Sequence, residues 1–139
     1  MHVGFISALY PPISIGGAET MTAQLAEGLL ERNVKVSVLS LQSPSNDLPD
    51  TPNIQRIPLT NVHWPYDRTQ PLPPPLQRLM WHAIDTSNPW MRQKVKKWAK
   101  EKKLDLICTH NLQGFSTGIW PELKSLNLPI VHVLHDFAL

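Results

Sequence analysis

The stretch that most constrains this chain lies at its start. His2 to Leu30 reads HVGFISALYPPISIGGAETMTAQLAEGLL. It is a short, near-continuous apolar run, a Tyr10-Pro11-Pro12 break, the adjacent glycines Gly16 and Gly17, and then apolar residues at steps of three and four. An apolar run without alternation is how a strand covered on both faces reads, as in a parallel sheet. Proline cannot donate to a strand ladder, so the strand ends before Pro11. Ala18, Met21, Leu25, Ala26 and Leu29 share one helical face. Glu19 sits in the first turn, where a carboxylate complements the helix dipole, and Asn33 fits a left-handed cap beyond the last turn. A strand feeding a helix through a glycine turn is the opening half of a βαβ unit. Such a turn brings backbone N–H groups and a helix N-terminus to one sheet edge, an arrangement suited to an anion such as phosphate.

The remaining chain extends the pattern. Val34–Leu41 and Ile54–Leu59 read as a second and a third strand, Pro58 marking an edge position or a strand end. Asn61–Pro75 carries too much proline for regular structure and reads as a long loop. Leu76–Ile84 predicts a helix with Leu76, Leu79, Met80 and Ala83 on one face. Asn88-Pro89 starts another, running to about Lys103 with Met91, Val95, Trp98 and Ala99 as its stripe. Leu104–Thr109 and Pro129–Leu134 are the last two strands, with a short helix near Pro121 between them. The order β-α-β-β-α-α-β-α-β predicts an α/β, Rossmann-like doubly wound parallel sheet in strand order 3-2-1-4-5. Ligands of such sheets bind at the carboxyl ends of the strands near the switch point. The topology brings three separated features to that edge: Gly16-Gly17 after the first strand, His110-Asn111 after the fourth, and His135-Asp136 after the fifth.

Composition bounds the classes. At 139 residues the chain is one domain by length, and 42% apolar residues can form a real core. A net charge of +2 does not argue for nucleic acid. Ten of the 14 prolines lie between Pro44 and Pro89, so proline marks one region and not the whole chain. The single cysteine, Cys108, cannot form an intramolecular disulfide. The first residues have no basic leader pattern, and no apolar run approaches the roughly 20 residues of a membrane span. A cytoplasmic protein is the expectation.

Three motifs in register carry a family resemblance: IGGAETMTAQLAEGLLERNVKVSVLS, LDLICTHN and LPIVHVLHDF. They resemble family 4 glycosyltransferases, the retaining GT-B group, over nearly the whole chain apart from a variable region between about Ser43 and Lys103. Asn33-Val34 stands where that family usually has Gly-His, which reads as a change of helix cap. The resemblance implies two Rossmann-like domains facing across a cleft, the N-terminal one holding the acceptor and the C-terminal one a nucleotide-diphosphate sugar. On it, residues 1–139 are a single, incomplete N-terminal domain with the donor-binding half absent. The implied activity is transfer of a sugar, of hexosyltransferase type, to a hydroxyl on a glycan, lipid or small molecule. The isolated fragment is expected to be inactive, with no cofactor beyond the donor substrate.

Each candidate residue has a structural alternative. Gly16 and Gly17 let backbone approach a diphosphate or acceptor oxygen, or merely make the strand-to-helix turn. His135 is the residue assigned a catalytic part, as a positioning and electrostatic group and not a nucleophile; otherwise it is a strand-end histidine bonded to backbone. His110 and Asn111 contact substrate or form a turn, and Asp136 joins them as a binding candidate. Strand alternation puts His132 on the face opposite His135. Cys108 and His110 share a strand face, but no CxxC or HxxxH spacing supports a metal, and Cys108 reads as a small buried hydrophobe. Lys94, Lys96, Lys97, Lys100, Lys102 and Lys103 form a solvated face, the alternative being peripheral docking on an anionic inner membrane surface. His63, Trp64, Tyr66, Asp67 and Arg68 are weaker candidates for a sugar platform in the long loop. Two other classes compete: a non-enzymatic phosphate-binding module, and a nucleotide-dependent oxidoreductase. The latter is disfavoured because GxGxxG is missing and Ser40 stands where an acidic ribose ligand belongs.

Overall fold

A computed structural model describes residues 1–67 and 69–135. Its elements, in chain order, are β1 (His2–Ile6), α1 (Gly17–Glu31), β2 (Lys35–Gln42), β3 (Ile54–Pro58), α2 (Pro75–Thr86), α3 (Pro89–Lys102), β4 (Leu106–Thr109), α4 (Ile119–Lys124) and β5 (Ile130–His132). The five strands form one sheet in order β3-β2-β1-β4-β5, with every pairing parallel. This is the Rossmann-like doubly wound arrangement that the sequence predicts. β1 lies in the middle, Phe5 pairing with Val38 on one side and Cys108 on the other.

Alternation along β1 divides the core in two. Val3 and Phe5 join Val36, Val38, Cys108 and Ala26 beneath α1. Ile6 joins Leu39, Ile107, Val95, Trp98 and Leu123 beneath α3 and α4. Gly4 lies on this second face, and a Cβ there would collide with Leu104 and press on Trp98 and Ile107. Its missing side chain is what lets Trp98 reach the sheet.

α3 forms as its sequence predicts. The Asn88 side chain accepts from the Met91 N–H at 3.1 Å, capping the helix, and Pro89 occupies its first turn. Met91, Val95, Trp98 and Ala99 are all buried. Two of its lysines are engaged with neighbouring elements: Lys94 donates to the Pro58 carbonyl and the Thr60 hydroxyl, and Lys96 joins Arg92 in pairing with Glu122 of α4. With the apolar stripe inside the core, this helix offers its surroundings charge and one exposed indole, Trp90. Asn33 takes the left-handed conformation expected of it, at φ 59°.

Two helices turn differently from the expectation. In α1 the buried residues are Glu19, Thr22 and Ala26, while Met21 and Leu25 are exposed. The small side chains on the sheet side allow close approach, and Glu19 turns inward to hold the preceding loop. In α2 the predicted face of Leu76, Leu79, Met80 and Ala83 points outward, and Trp81 is the buried residue. Trp81 anchors the helix by donating from Nε1 to the His63 carbonyl at 3.0 Å.

Candidate functional site

The carboxyl ends of β1, β4 and β5 open into a cleft of about 520 Å³, within the usual range of ligand sites. Ala18 at the start of α1, His110 and Asn111 after β4, and His132 and His135 around the end of β5 all line it. The far wall is built by α2 and α4, through Asp85 and Trp120. Separate segments thus meet at the switch point between β1 and β4, where the topology places a ligand.

The glycine loop is organised by Glu19. Its Oε2 accepts from the Gly16 N–H at 2.9 Å, and the Ile15 N–H and Ser14 hydroxyl also point to it. The anion seat of the loop is therefore filled by the protein's own carboxylate. The N–H groups of Gly17 and Ala18, in the first helical turn, have no intrahelical acceptor to bond. Neither glycine is demanded by the fold. Gly16 is extended, at φ −155°, and Gly17 is helical with nothing within 4 Å of where a Cβ would stand. Of the expected loop residues, neither Gly16 nor Gly17 lines the cleft; the neighbouring Ala18 does.

The histidines form a chain running out of the core. The Cys108 Sγ is 3.4 Å from His110 Nε2, and His110 Nδ1 is 2.8 Å from His135 Nε2. The His110 and His135 ring centres lie 5.1 Å apart with 23° between planes, so at this nitrogen separation the rings meet edge to edge. Burial pushes the Cys108 thiol up to about 11, keeping it protonated. Burial, reinforced by His135 and His132, holds His110 down at about 4, so it is neutral. A neutral imidazole has one donor and one acceptor. With Nε2 taking the thiol hydrogen, Nδ1–H donates to His135; these tautomers are assigned from the network. The neutral form of His135 then carries its own hydrogen on Nδ1, and that N–H is the group it has left to offer. His110 is fully buried, so it orients His135 and does not itself meet a substrate broadly.

Asn111 is tied on both sides. Its carbonyl accepts from the Ala8 N–H at 2.8 Å, and its Oδ1 from the Gln113 N–H at 3.0 Å, an Asx turn. Among the described residues the side-chain NH2 has no partner, and Asn111 lines the cleft. His132 and His135 part to opposite faces of the sheet, as alternation predicts: His132 bonds Thr109 and meets Trp120 on the α4 side, while His135 meets His110 on the side of Phe5 and Cys108. Both rings nonetheless line the cleft at the strand ends. Asp136, also expected here, lies outside the described residues.

Several cleft residues escaped the sequence reading, Asp85 and Trp120 among them. Asp85 closes the last turn of α2, and Trp120 stands in the first turn of α4. The readable signal for Asp85 is an acidic residue at a helix C-terminus, where the dipole opposes it. In the long loop, Tyr66 packs on the core and donates to the Gln113 carbonyl at 2.7 Å, so it holds the loop down. His63, Trp64 and Asp67 line a neighbouring pocket of about 420 Å³ that shares Trp81 and His82 with the cleft. Arg68 lies outside the described residues.

The fold and site define a class: a doubly wound α/β domain with a histidine-rich cleft at the carboxyl edge of its sheet. A sequence model of Glycosyltransferase Family 4 matches residues 15–139, and the chain belongs to that family. It is 31% identical over 143 residues to an uncharacterized 42.6 kDa protein in the cps region of Klebsiella pneumoniae, covering all of this chain and 38% of that one. It superposes on the crystal structure of Acinetobacter baumannii MurG with a TM-score of 0.58 at 16% identity, over 98% of this chain and 36% of that one. The chain spans little more than a third of the length of either protein.

Proposed function

We propose that this chain is the acceptor-side domain of a retaining glycosyltransferase of GT-B architecture. The intact protein moves a hexose-type sugar from a nucleotide-diphosphate sugar to a hydroxyl on a glycan, lipid or small acceptor. The observation that carries this reading is the convergence of Ala18, Asn111, His132 and His135 on one cleft at the carboxyl edge of the sheet, in a member of glycosyltransferase family 4. His135 holds its N–H toward an oxygen of the reacting pair and stabilises charge there. Asn111 offers its amide to an acceptor hydroxyl. The first-turn N–H groups of Gly17 and Ala18 meet a donor oxygen, and the bare Gly17 surface leaves room for that approach. Most of the donor is held by a second domain. Any peripheral membrane contact of α3 rests on the charge of Lys97, Lys100 and Lys103.

The rival reading, a phosphate-binding module without catalysis, finds its seat at Gly16 taken by Glu19. The test is turnover of nucleotide-diphosphate sugars by the intact protein and by residues 1–139 alone, followed by NMR of the anomeric configuration of the product. The reading requires turnover with retention by the first and none by the second. Turnover by residues 1–139 alone, or inversion, would overturn it.

A further inference from the structure

The carboxylate in the cleft is a group whose charge the fold does not need. Asp85 lies in the last turn of α2, where the negative end of the helix dipole opposes a charge, and it is mostly withdrawn from water. Yet it is held in place. Its Oδ1 accepts from the Gly114 N–H at 2.9 Å. Gly114 is itself pinned, with φ +97° and the Leu41 side chain 2.8 Å from where a Cβ would stand. Among the described residues that is the one hydrogen bond to this carboxylate, which can accept about four, so Oδ2 remains open to the cleft.

A second wall is preorganised in the same way. Trp120 of α4 donates from Nε1 to the Thr109 hydroxyl at 3.4 Å, and that hydroxyl lies 2.9 Å from His132 Nδ1. The His132 and Trp120 rings meet in a T-shaped contact at 5.1 Å and 70°. The indole packs partly on the core, and its half-exposed remainder lines the cleft. Among the described residues lining the cleft, Asp85 is the one carboxylate and there is no Lys or Arg. The side chains therefore combine a fixed aromatic surface with a fixed hydrogen-bond acceptor, and lack the cations that a phosphate or carboxylate ligand calls for.

We propose that Asp85 and Trp120 form a saccharide subsite, in which Trp120 takes the apolar face of a sugar ring, Asp85 accepts hydrogen bonds from its hydroxyl or ammonium groups, and a ring bearing a carboxylate is rejected. This rests on the reading of the cleft as the acceptor site and specifies the acceptor: a neutral or amino sugar at the ring beside His135. Ionised Asp85 faces His82 from its own helix, His110, His132 and His135 from the β4 and β5 ends, and Tyr66 from the long loop. None of these side chains supplies a fixed cation.

The experiment uses methyl glycosides of the gluco, galacto and manno series, each as the neutral hexoside, the 2-amino sugar and the uronide. Binding to the intact protein is followed at pH 7.5 by NMR shifts of the cleft residues. At least one neutral or amino sugar should bind at the Asp85 and Trp120 resonances, with the matching uronide about tenfold weaker or more. Asp85→Asn keeps the Gly114 bond and should bring the uronide to within a few-fold of the neutral sugar. Trp120→Ala should weaken all three alike. Equal binding of uronide and neutral sugar by the wild type, an unchanged order in Asp85→Asn, or no shift in the cleft from any glycoside would overturn the proposal. Sugar binding in the stated order without any transfer by the intact protein would refute the transferase reading and leave the subsite standing. Transfer whose acceptor KM ignores Asp85→Asn would refute the subsite alone.

Discussion

A carboxylate kept for a ligand should be a burden on the fold, and the burden can be measured. Burial raises Asp85 from its ordinary 3.8 to about 6, against the opposing pull of the Gly114 N–H and of His82. The folded value exceeds the unfolded one. Between about pH 4 and 6 the folded state therefore holds a proton that the unfolded state has lost. By linkage, stability is fully present below about pH 4 and falls as pH rises through 6. About two pH units at roughly 1.4 kcal/mol each give a ceiling of ~3 kcal/mol. Asp85→Asn keeps an acceptor for Gly114 and removes the charge. At pH 8 it should be more stable than the wild type by about 1–3 kcal/mol, and near pH 4 the two should coincide. Urea unfolding followed by circular dichroism reads this as a higher midpoint at pH 8 with an unchanged slope. A variant no more stable than the wild type at pH 8, or a gain that persists at pH 4, would refute the reasoning.

Other consequences follow from the same geometry. Gly17→Ala should stabilise the fold by about 0.4–1 kcal/mol, because the added methyl meets nothing and narrows the unfolded ensemble; thermal melting checks this. The same variant should lower transfer by about tenfold or more in the intact protein. Gly114→Ala should destabilise by about 2–4 kcal/mol, from the left-handed φ and the contact with Leu41, measurable by denaturant unfolding. Cys108→Ala removes the thiol hydrogen that His110 accepts; the ring-nitrogen shifts of His110 and His135 should change together in NMR spectra, and unchanged shifts would break the proposed chain.

The sheet order was legible because strand burial and connection lengths leave few alternatives, and α3 was legible because Met91, Val95, Trp98 and Ala99 all enter the core. α1 and α2 show the limit of periodicity. It marks an apolar stripe, but the sheet takes Thr22 and Ala26 where small residues allow close contact, leaving Met21 and Leu25 outside. In α2 a single indole, Trp81, anchors the helix while Leu76 and Leu79 face outward. The strand-end histidines could be placed from topology, and they do meet. The chain from Cys108 through His110 to His135 depends on side-chain directions that spacing does not encode. Asp85 and Trp120 went unseen because α2 and α4 reach the cleft only in three dimensions. The inward turn of Glu19 was half-visible as dipole complementation; that it would fill the loop's anion seat was not.

The most direct test of the account is acceptor-dependent release of nucleoside diphosphate by the intact protein, wild type against His135→Ala. The account predicts release from a nucleotide-diphosphate sugar by the wild type. It predicts a drop of about a hundredfold or more in the variant, with a loss of stability of no more than about 1–3 kcal/mol, since His135 is exposed and its one described hydrogen bond is to the buried His110. Unchanged release in His135→Ala, or no release by the wild type with any nucleotide-diphosphate sugar, would contradict it.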